Sequence, residues 1–473
     1  MIRRPRSESW SSGSGGRNPL GVAVATAGSV GPVKDPSSNP SSAERTVNIG
    51  LLGCGNVGAA LVELVRDRGD EIAARTGLRL QVARVAVRSL SKERGVDLPA
   101  DVLTTDAESV ATDPSVDLVV EVIGGIEPAR ELIVDALKAG KPVVTANKEL
   151  LANVGGELYG VAEAAGVDLL FEAAVAGGIP LVRPLRESLV GEDVSRVMGI
   201  VNGTTNYILT KMTEEGWSYA EALAEAQSLG YAERDPTADV EGFDAGAKAA
   251  IIATIAFGSK VVAGDVFHEG IAGVTSTDID HARRLGFQIK LLAIAERYDD
   301  GSVAVRVHPA MVPEAHPLAS VRDSFNAVFV EGAAVGDLMF YGRGAGGFPT
   351  ASAVLGDVVD AAANLAKGTH ASLGSFAKAR IRPIDELRSA FYLNLVVEDR
   401  PGVLAAVAGV FGAHGVSIRS MEQEALEDAT SGARLTFITH AAREADLRAT
   451  LQELRGLDAV RSIGSVLRVI GQD

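Results

Sequence analysis

The chain has one cysteine, Cys54, in 473 residues. No disulfide within the chain is possible, and a reducing, cytoplasmic setting is expected. It also lacks any charge-free apolar run of the roughly 18 residues that would span a bilayer. Positive charge is scarce: 45 Lys and Arg stand against 61 Asp and Glu, a net charge of −16. That balance argues against nucleic acid or an anionic membrane as the main partner. No His/Cys cluster has zinc spacing, and neither a Walker sequence nor G-x-S-x-G occurs, so the motif-bearing zinc, P-loop and serine-hydrolase chemistries find no support. Residues 1–45 are rich in Ser, Gly, Pro and Asn and include Arg3, Arg4 and Arg6, but no compact apolar core of a signal peptide follows. A disordered tail is expected there.

What the chain does have begins at residues 47–58, VNIGLLGCGNVG. An apolar strand runs into G-x-G-x-x-G and then into a helical segment. Gly53 permits a tight turn, Gly55 lets a pyrophosphate approach the backbone, and Gly58 lets the helix pack on the strand. Asn56 and Val57 lie inside the loop, where free N–H groups of the helix start would meet phosphate. A dinucleotide-binding role is predicted.

Strand and helix then alternate through residues 46–171, which predicts a Rossmann-like, doubly wound α/β sheet with right-handed crossovers. The strands are read at 80–87, 116–123, 142–145 and 167–171, the helices at 127–139 and 153–165. The texture changes after Glu172. Residues 172–370 read as an α+β domain. Ser218 and Glu221 form a capping box that opens a helix at 219–229, and strands follow at 291–297, 303–312, 327–331 and 338–341. A helix at 350–366 is expected to return to the first domain. A linker at 371–388 leads to residues 389–473, which read β-α-β-β-α-β, a split βαβ module.

Three further features carry chemistry. Arg88 follows the second strand, with Lys92 nearby. An arginine there suits the 2′-phosphate of NADP, with NAD as the alternative; a solvated loop charge is the plain reading. Lys148 follows a parallel strand, as Gly124 follows its neighbour, and strand ends of this kind face ligands in open α/β sheets. Finally, residues 230–248 hold Glu233, Asp235, Asp239, Glu241 and Asp244 ahead of Lys248. Residues 245–257 are small and apolar, so that helix is expected to be buried all round. Asp244 and Lys248 then share one face, where a buried pair suits acid/base work. The alternative is an exposed i,i+4 pair. In FEAAVAGGIP, residues 171–180, the backbone carbonyls and Glu172 could hold a hard cation through oxygen.

Six segments in fixed order closely resemble homoserine dehydrogenase of the long, regulated bacterial type: GLLGCGNVG, TANKELLA, FEAAVAGGIPLV, GIVNGTTNYIL, LGYAERDPTADVEGFDAGAKAAI and GRGAGGFPTASAVLGD. The C-terminal LNLVVEDRPGVLAAVAGVFGAHGVSI resembles an ACT domain, a ferredoxin-like amino-acid sensor. The resemblance covers nearly everything except the N-terminal tail. It implies interconversion of L-homoserine and L-aspartate 4-semialdehyde with NAD(P), in threonine, methionine and isoleucine biosynthesis. It makes Lys248 the acid/base and Lys148 a second active-site lysine near the cofactor. It puts Glu233, Asp239 and Asp244 on the substrate, and the backbone at Gly230 and Gly346 near substrate and cofactor. It makes Glu172, Val175, Gly177 and Ile179 a sodium site, the last three through carbonyls. It implies threonine as an inhibitor bound near Asp399 and Gly402, and a homodimer or homotetramer with residues 172–370 contributing to dimerisation. Two rival readings stand beside it: another NADP-linked reductase of a small amino or keto acid, and an amino-acid-sensing regulator with a dead dinucleotide domain.

Overall fold

The computed structural model describes residues 44–372, 376–426 and 432–471. Residues 1–43, most of the expected tail, lie outside them. The first domain contains β1 (Arg45–Leu52), α1 (Asn56–Thr76), β2 (Leu78–Ala86), β3 (Leu103–Thr104), α2 (Ala107–Thr112), β4 (Leu118–Glu121), α3 (Ala129–Lys138), β5 (Val143–Thr145), α4 (Lys148–Ala165) and β6 (Leu169–Leu170). Its strands pair in the order β3-β2-β1-β4-β5-β6, and all pairs are parallel. The order reverses direction between β1 and β4, which opens the crevice where such sheets take ligands.

Two glycines of the first loop have no substitute. Gly53 has φ +101°, and an added Cβ would sit 2.8 Å from the Ile123 side chain. A Cβ on Gly58 would sit 2.3 Å from the Gly53 carbonyl oxygen. Helix α4 starts five residues earlier than its apolar pattern predicts. The cause is Asn147, whose side chain accepts the Leu150 N–H at 3.1 Å and so caps the helix at once.

The middle of the chain supplies β7 (Val194–Ile200), α5 (Gly203–Glu214), α6 (Tyr219–Ser228), α7 (Thr237–Val240), α8 (Phe243–Phe257), β8 (Ser259–Lys260), β9 (Phe267–His268), α9 (Ser276–Arg284), β10 (Phe287–Arg297), β11 (Val303–Pro313), β12 (Phe325–Gly332) and β13 (Gly336–Arg343). The capping box at Ser218 and Glu221 is formed. Helix α10 (Gly347–Lys367) packs on α1 and β1. Its Ala351, Val354, Val358, Ala361 and Ala362 share one buried apolar cluster with Val47, Ile49 and Leu51 of β1.

The last segment holds β14 (Ala377–Lys378), β15 (Arg388–Glu398), α11 (Val403–Ala413), β16 (Ile418–Ala425), β17 (Gly432–Thr439), β18 (Ala442–Arg443), α12 (Glu444–Leu454) and β19 (Val460–Val469). The split βαβ order is present. Its sheet is not separate, however. It continues the middle sheet into one of eleven strands, with main path β13-β12-β7-β10-β11-β19-β15-β17-β16. The joint is a short parallel pairing, Ala310 with Arg468 and Met311 with Val469. Side chains reinforce it: Arg468 is buried and binds Glu444 at 2.5 Å and Glu269 at 2.7 Å. Tyr392 Oη lies 2.8 Å from His281 Nδ1, and Ser465 donates to Asp278 at 2.6 Å. The linker is tied down too, since β14 pairs with β8 and Ile381 bridges Val303.

Replacing Arg468 by Leu strands two carboxylates at this joint. Denaturant unfolding should show a loss of about 3–5 kcal/mol, the usual result of breaking a buried ion pair on one side. A loss below about 1 kcal/mol would contradict the role given to this residue.

Candidate active site

Helix α8 is built almost wholly from Ala, Ile and other small or apolar residues, and most of it is buried. It enters through Gly242 at φ +82°. Asp244 and Lys248 face the same side, with side chains only 8% and 11% exposed. The exposed-pair alternative is thereby removed. Lys248 Nζ donates to Asp244 Oδ2 at 2.7 Å and to the Val201 carbonyl at 2.7 Å. Lys148, in the first turn of α4, reaches the other carboxylate oxygen, Nζ to Oδ1 at 2.6 Å. One carboxylate therefore bridges two ammonium groups from two domains.

The electrostatics follow from this bridge. Burial pushes the Asp244 carboxyl up, but Lys248 and then Lys148 more than offset it and hold it well below the usual carboxylate range. Burial works against the Lys148 ammonium, yet Asp244 outweighs it and its pKa is raised. Asp239 is half-buried. Burial raises its pKa, Asn202 opposes the rise by hydrogen bonding, and the Asp244 charge adds to it.

Asn202 organises this end of the site. Its Oδ1 accepts the Thr205 N–H at 2.9 Å and caps α5. Its Nδ2 donates to Asp239 Oδ1 at 2.6 Å and to Asp244 Oδ2 at 3.0 Å. Thr204 then donates to the Tyr231 carbonyl at 2.7 Å, which draws the loop after Gly230 onto the start of α5. Glu233, on that loop, is different. Its side chain is exposed and makes no hydrogen bond or ion pair among the described residues.

Both lysines line a cavity of about 300 Å³ together with Val57, Gly124, Asn147 and Gly177. Its floor is fixed by Glu121, which is fully buried at the end of β4. The Glu121 carboxylate accepts the Ile123 and Gly124 N–H groups at 2.8 and 3.0 Å and the Thr145 hydroxyl at 2.6 Å. Asn147 closes the network by donating to the Gly125 carbonyl at 2.6 Å. Beyond the cavity, Gly55 begins α1 with no side-chain cap, no acidic residue in the first turn and open space around it. That end is ready for an anion. Asn56 is exposed at the first helical position, and Arg88 is exposed just past β2. Gly346, at φ +120°, opens α10, and its neighbour Gly347 lies against the Asn56 carbonyl. The glycine loops of both halves thus meet over the crevice.

Two smaller features complete the predicted set. In the loop after β6, Ala176 and Gly177 are both left-handed, at φ +57° and +55°. The buried carbonyls of Val175, Gly177 and Ile179 accept no hydrogen bond among the described residues. Glu172 offers no free carboxylate there. Its oxygens accept the N–H groups of Leu181, Val182 and Arg183 at 2.5, 2.7 and 2.8 Å. Asp357 accepts the Glu172 N–H at 2.7 Å, and burial, with the Glu172 charge adding, pushes its carboxyl up to about 7. In the terminal module, Asp399 and Gly402 line a hollow of about 400 Å³ that also includes Arg400, Gln423 and Leu435. Gly402, at φ +90°, opens α11 without a side-chain cap.

Sequence reasoning passed over Asn202, Glu121 and Asn147. Each had a signal: Asn202 and Asn147 stand where N-caps stand, and Glu121 interrupts an apolar strand. Replacing Asn202 by Ala removes a cap and two carboxylate contacts. Denaturant unfolding should show a loss of about 2 kcal/mol, against under about 0.5 kcal/mol if the contacts are idle.

Comparison with known proteins agrees with this geometry. Residues 53–172 match the homoserine dehydrogenase NAD-binding domain, residues 180–359 the homoserine dehydrogenase family, and residues 391–459 the ACT domain. The homoserine dehydrogenase of Corynebacterium glutamicum is 51% identical over 443 residues, 93% of this chain and 98% of that one. The crystal structure of a homoserine dehydrogenase from Thiobacillus denitrificans superposes with TM-score 0.85 at 40% identity, covering 91% of this chain and 99% of that one. A hyperthermophilic archaeal homoserine dehydrogenase in complex with NADPH gives TM-score 0.57 at 30% identity, covering 67% of this chain and 97% of that one. Among the described residues no helix is long and apolar enough to cross a membrane. The chain belongs to the homoserine dehydrogenase family, as an oxidoreductase with a nicotinamide-cofactor domain and a C-terminal ACT domain.

Proposed function

We propose that the chain interconverts L-homoserine and L-aspartate 4-semialdehyde in the cytoplasm, within threonine, methionine and isoleucine biosynthesis, and that Lys248 is its acid/base. The observation that carries this reading is the Asp244 bridge, which holds Lys248 and Lys148 together at the cavity wall. When bound, the nicotinamide supplies or receives the hydride. In the reducing direction Lys248 gives a proton to the aldehyde oxygen as hydride reaches the carbon, and in the oxidising direction it takes that proton back from the hydroxyl. Lys148 places positive charge where the alkoxide develops. Both oxygens of Asp244 are already held by lysines, so its part in substrate binding is to aim them. Glu233 and Asp239, with the backbone at Gly230, are left for the substrate ammonium.

The uncapped start of α1 suits a dinucleotide phosphate. Arg88 and Lys92 beyond β2 favour NADP over NAD. Arg94 stands in the same loop, donating to the Lys92 carbonyl at 2.8 Å. The Val175, Gly177 and Ile179 carbonyls, without hydrogen-bond donors among the described residues, suit a monovalent cation, and sodium is the ion proposed. The hollow at Asp399 and Gly402 suits threonine, whose carboxylate would meet the free N–H groups of α11. A homodimer or homotetramer would pair these modules.

Lys248→Ala should lower kcat by about 100- to 10,000-fold, the span of general acid/base effects, while NADPH affinity by fluorescence titration stays within about twofold. Near-normal kcat would take Lys248 out of the role. For the terminal module, Asp399→Ala should raise the threonine concentration needed for half-inhibition by at least about tenfold with kcat kept, as expected for loss of one charged contact. Unchanged sensitivity would place the effector elsewhere. Truncation after Arg382 is a poorer test, because it strips β19 from β11.

A further inference from the structure

Strand β11 changes neighbours along one edge. Arg306 and Val307 pair with β9, while Ala310 and Met311 pair with β19 of the ACT domain. His308 and Pro309 fall in the break between the two pairings, and Pro309 has no N–H to offer there. A small cavity of about 20 Å³ lies at this break. It has room for one water-sized group. Its charged lining comes from five strands: Arg196 of β7, Glu296 of β10, Arg306 and His308 of β11, Arg388 of β15 and Arg468 of β19. Two buried atoms of that lining, Arg306 Nε and His308 Nε2, have no hydrogen-bond partner among the described residues. Arg306 is 6% exposed and His308 1%.

Four guanidinium groups and an imidazole therefore share the lining with one carboxylate. That carboxylate, Glu296, accepts from Arg306 Nη1 at 2.6 Å. The other anionic partners are not part of the lining: Glu331 takes Arg196 at 2.7 Å, and Glu444 and Glu269 take Arg468. Arg388 donates to the Ala441 carbonyl at 2.7 Å and makes no ion pair among the described residues.

We propose that this cavity is an anion site of the halide class, holding one chloride between Arg306 and His308 of the middle domain and Arg388 and Arg468 of the ACT domain. The lining calls for negative charge, and the volume is too small for phosphate, sulfate or a carboxylate. A proton accompanies the ion. His308 Nδ1 lies 3.1 Å from the Pro309 carbonyl and can only donate to it. In the neutral ring Nε2 is then a bare acceptor, which suits no anion; in the charged ring it donates. Burial first, and the Arg468 and Arg306 charges after it, hold the imidazole pKa well below its usual value. A chloride beside Nε2 offsets those charges and raises it, so chloride affinity rises as pH falls.

Thermal unfolding of the full chain tests the site, with chloride replacing gluconate at constant sodium and ionic strength. Tm should rise with chloride and saturate, by about 2 °C or more, and the rise should be larger at about pH 6 than at about pH 8. Bromide should act alike and give an anomalous peak beside Arg306 Nε and His308 Nε2 in soaked crystals. Arg306→Lys keeps a positive charge for Glu296 but removes the Nε donor, and should weaken chloride binding at least about tenfold. Should that variant fail to fold, the pH dependence and the bromide peak of the wild-type chain decide. An equal response to chloride and gluconate with no bromide peak, the result for a cavity that holds only water, overturns the site. A chloride response that is the same at both pH values, or that survives Arg306→Lys, places the ion elsewhere and overturns it as well.

Discussion

One carboxylate constrains this molecule more than any other group. Asp244 is buried and meets two ammonium groups, one from α4 of the nucleotide domain and one from α8 of the middle domain. Neither lysine could sit at the cavity wall beside the other without it. Removing one member of such a buried set leaves an uncompensated charge, at a typical cost of about 3–5 kcal/mol. The same contact thus holds two domains in register and aims two cations at one small space. Asn202 carries that order outward, since its amide fixes Asp244 and Asp239 while its oxygen starts α5.

The surrounding scaffold serves this arrangement. The reversal of strand order between β1 and β4 makes the crevice, and Glu121 freezes the loop that floors it. On the far side, α8 packs against β10 and β11. Strand β11 pairs in turn with β19 of the ACT domain. The helix that carries Lys248 and the module proposed to sense threonine therefore share one continuous sheet. Strand β19 is thus joined to the strand beneath the Lys248 helix by direct pairing with β11.

Much of this was legible in the sequence because it is local. The glycine loop, the apolar helix bearing Asp244 and Lys248 and the order of the terminal module each depend on short spacing and periodicity. What was not legible depends on partners far apart in the chain. Nothing near Arg468 announces Glu269, and nothing in residues 389–473 announces that β19 will complete the sheet at β11. The carboxylate-rich loop was only partly readable for the same reason. Asp239 and Asp244 turn inward because Asn202, some forty residues earlier, is there to meet them, whereas Glu233 finds no such partner and stays in solvent. The Glu172 carboxylate looked free to a reader of the sequence and is taken by three backbone N–H groups.

The central claim is that Lys248 moves the proton. Amine rescue of Lys248→Ala tests it most directly. With L-aspartate 4-semialdehyde and NADPH saturating, small primary amines should restore kcat in proportion to their concentration, with a slope that varies systematically with amine pKa. Rescue that is absent for every amine, or equal for amines and for inert salts at the same ionic strength, would contradict the account.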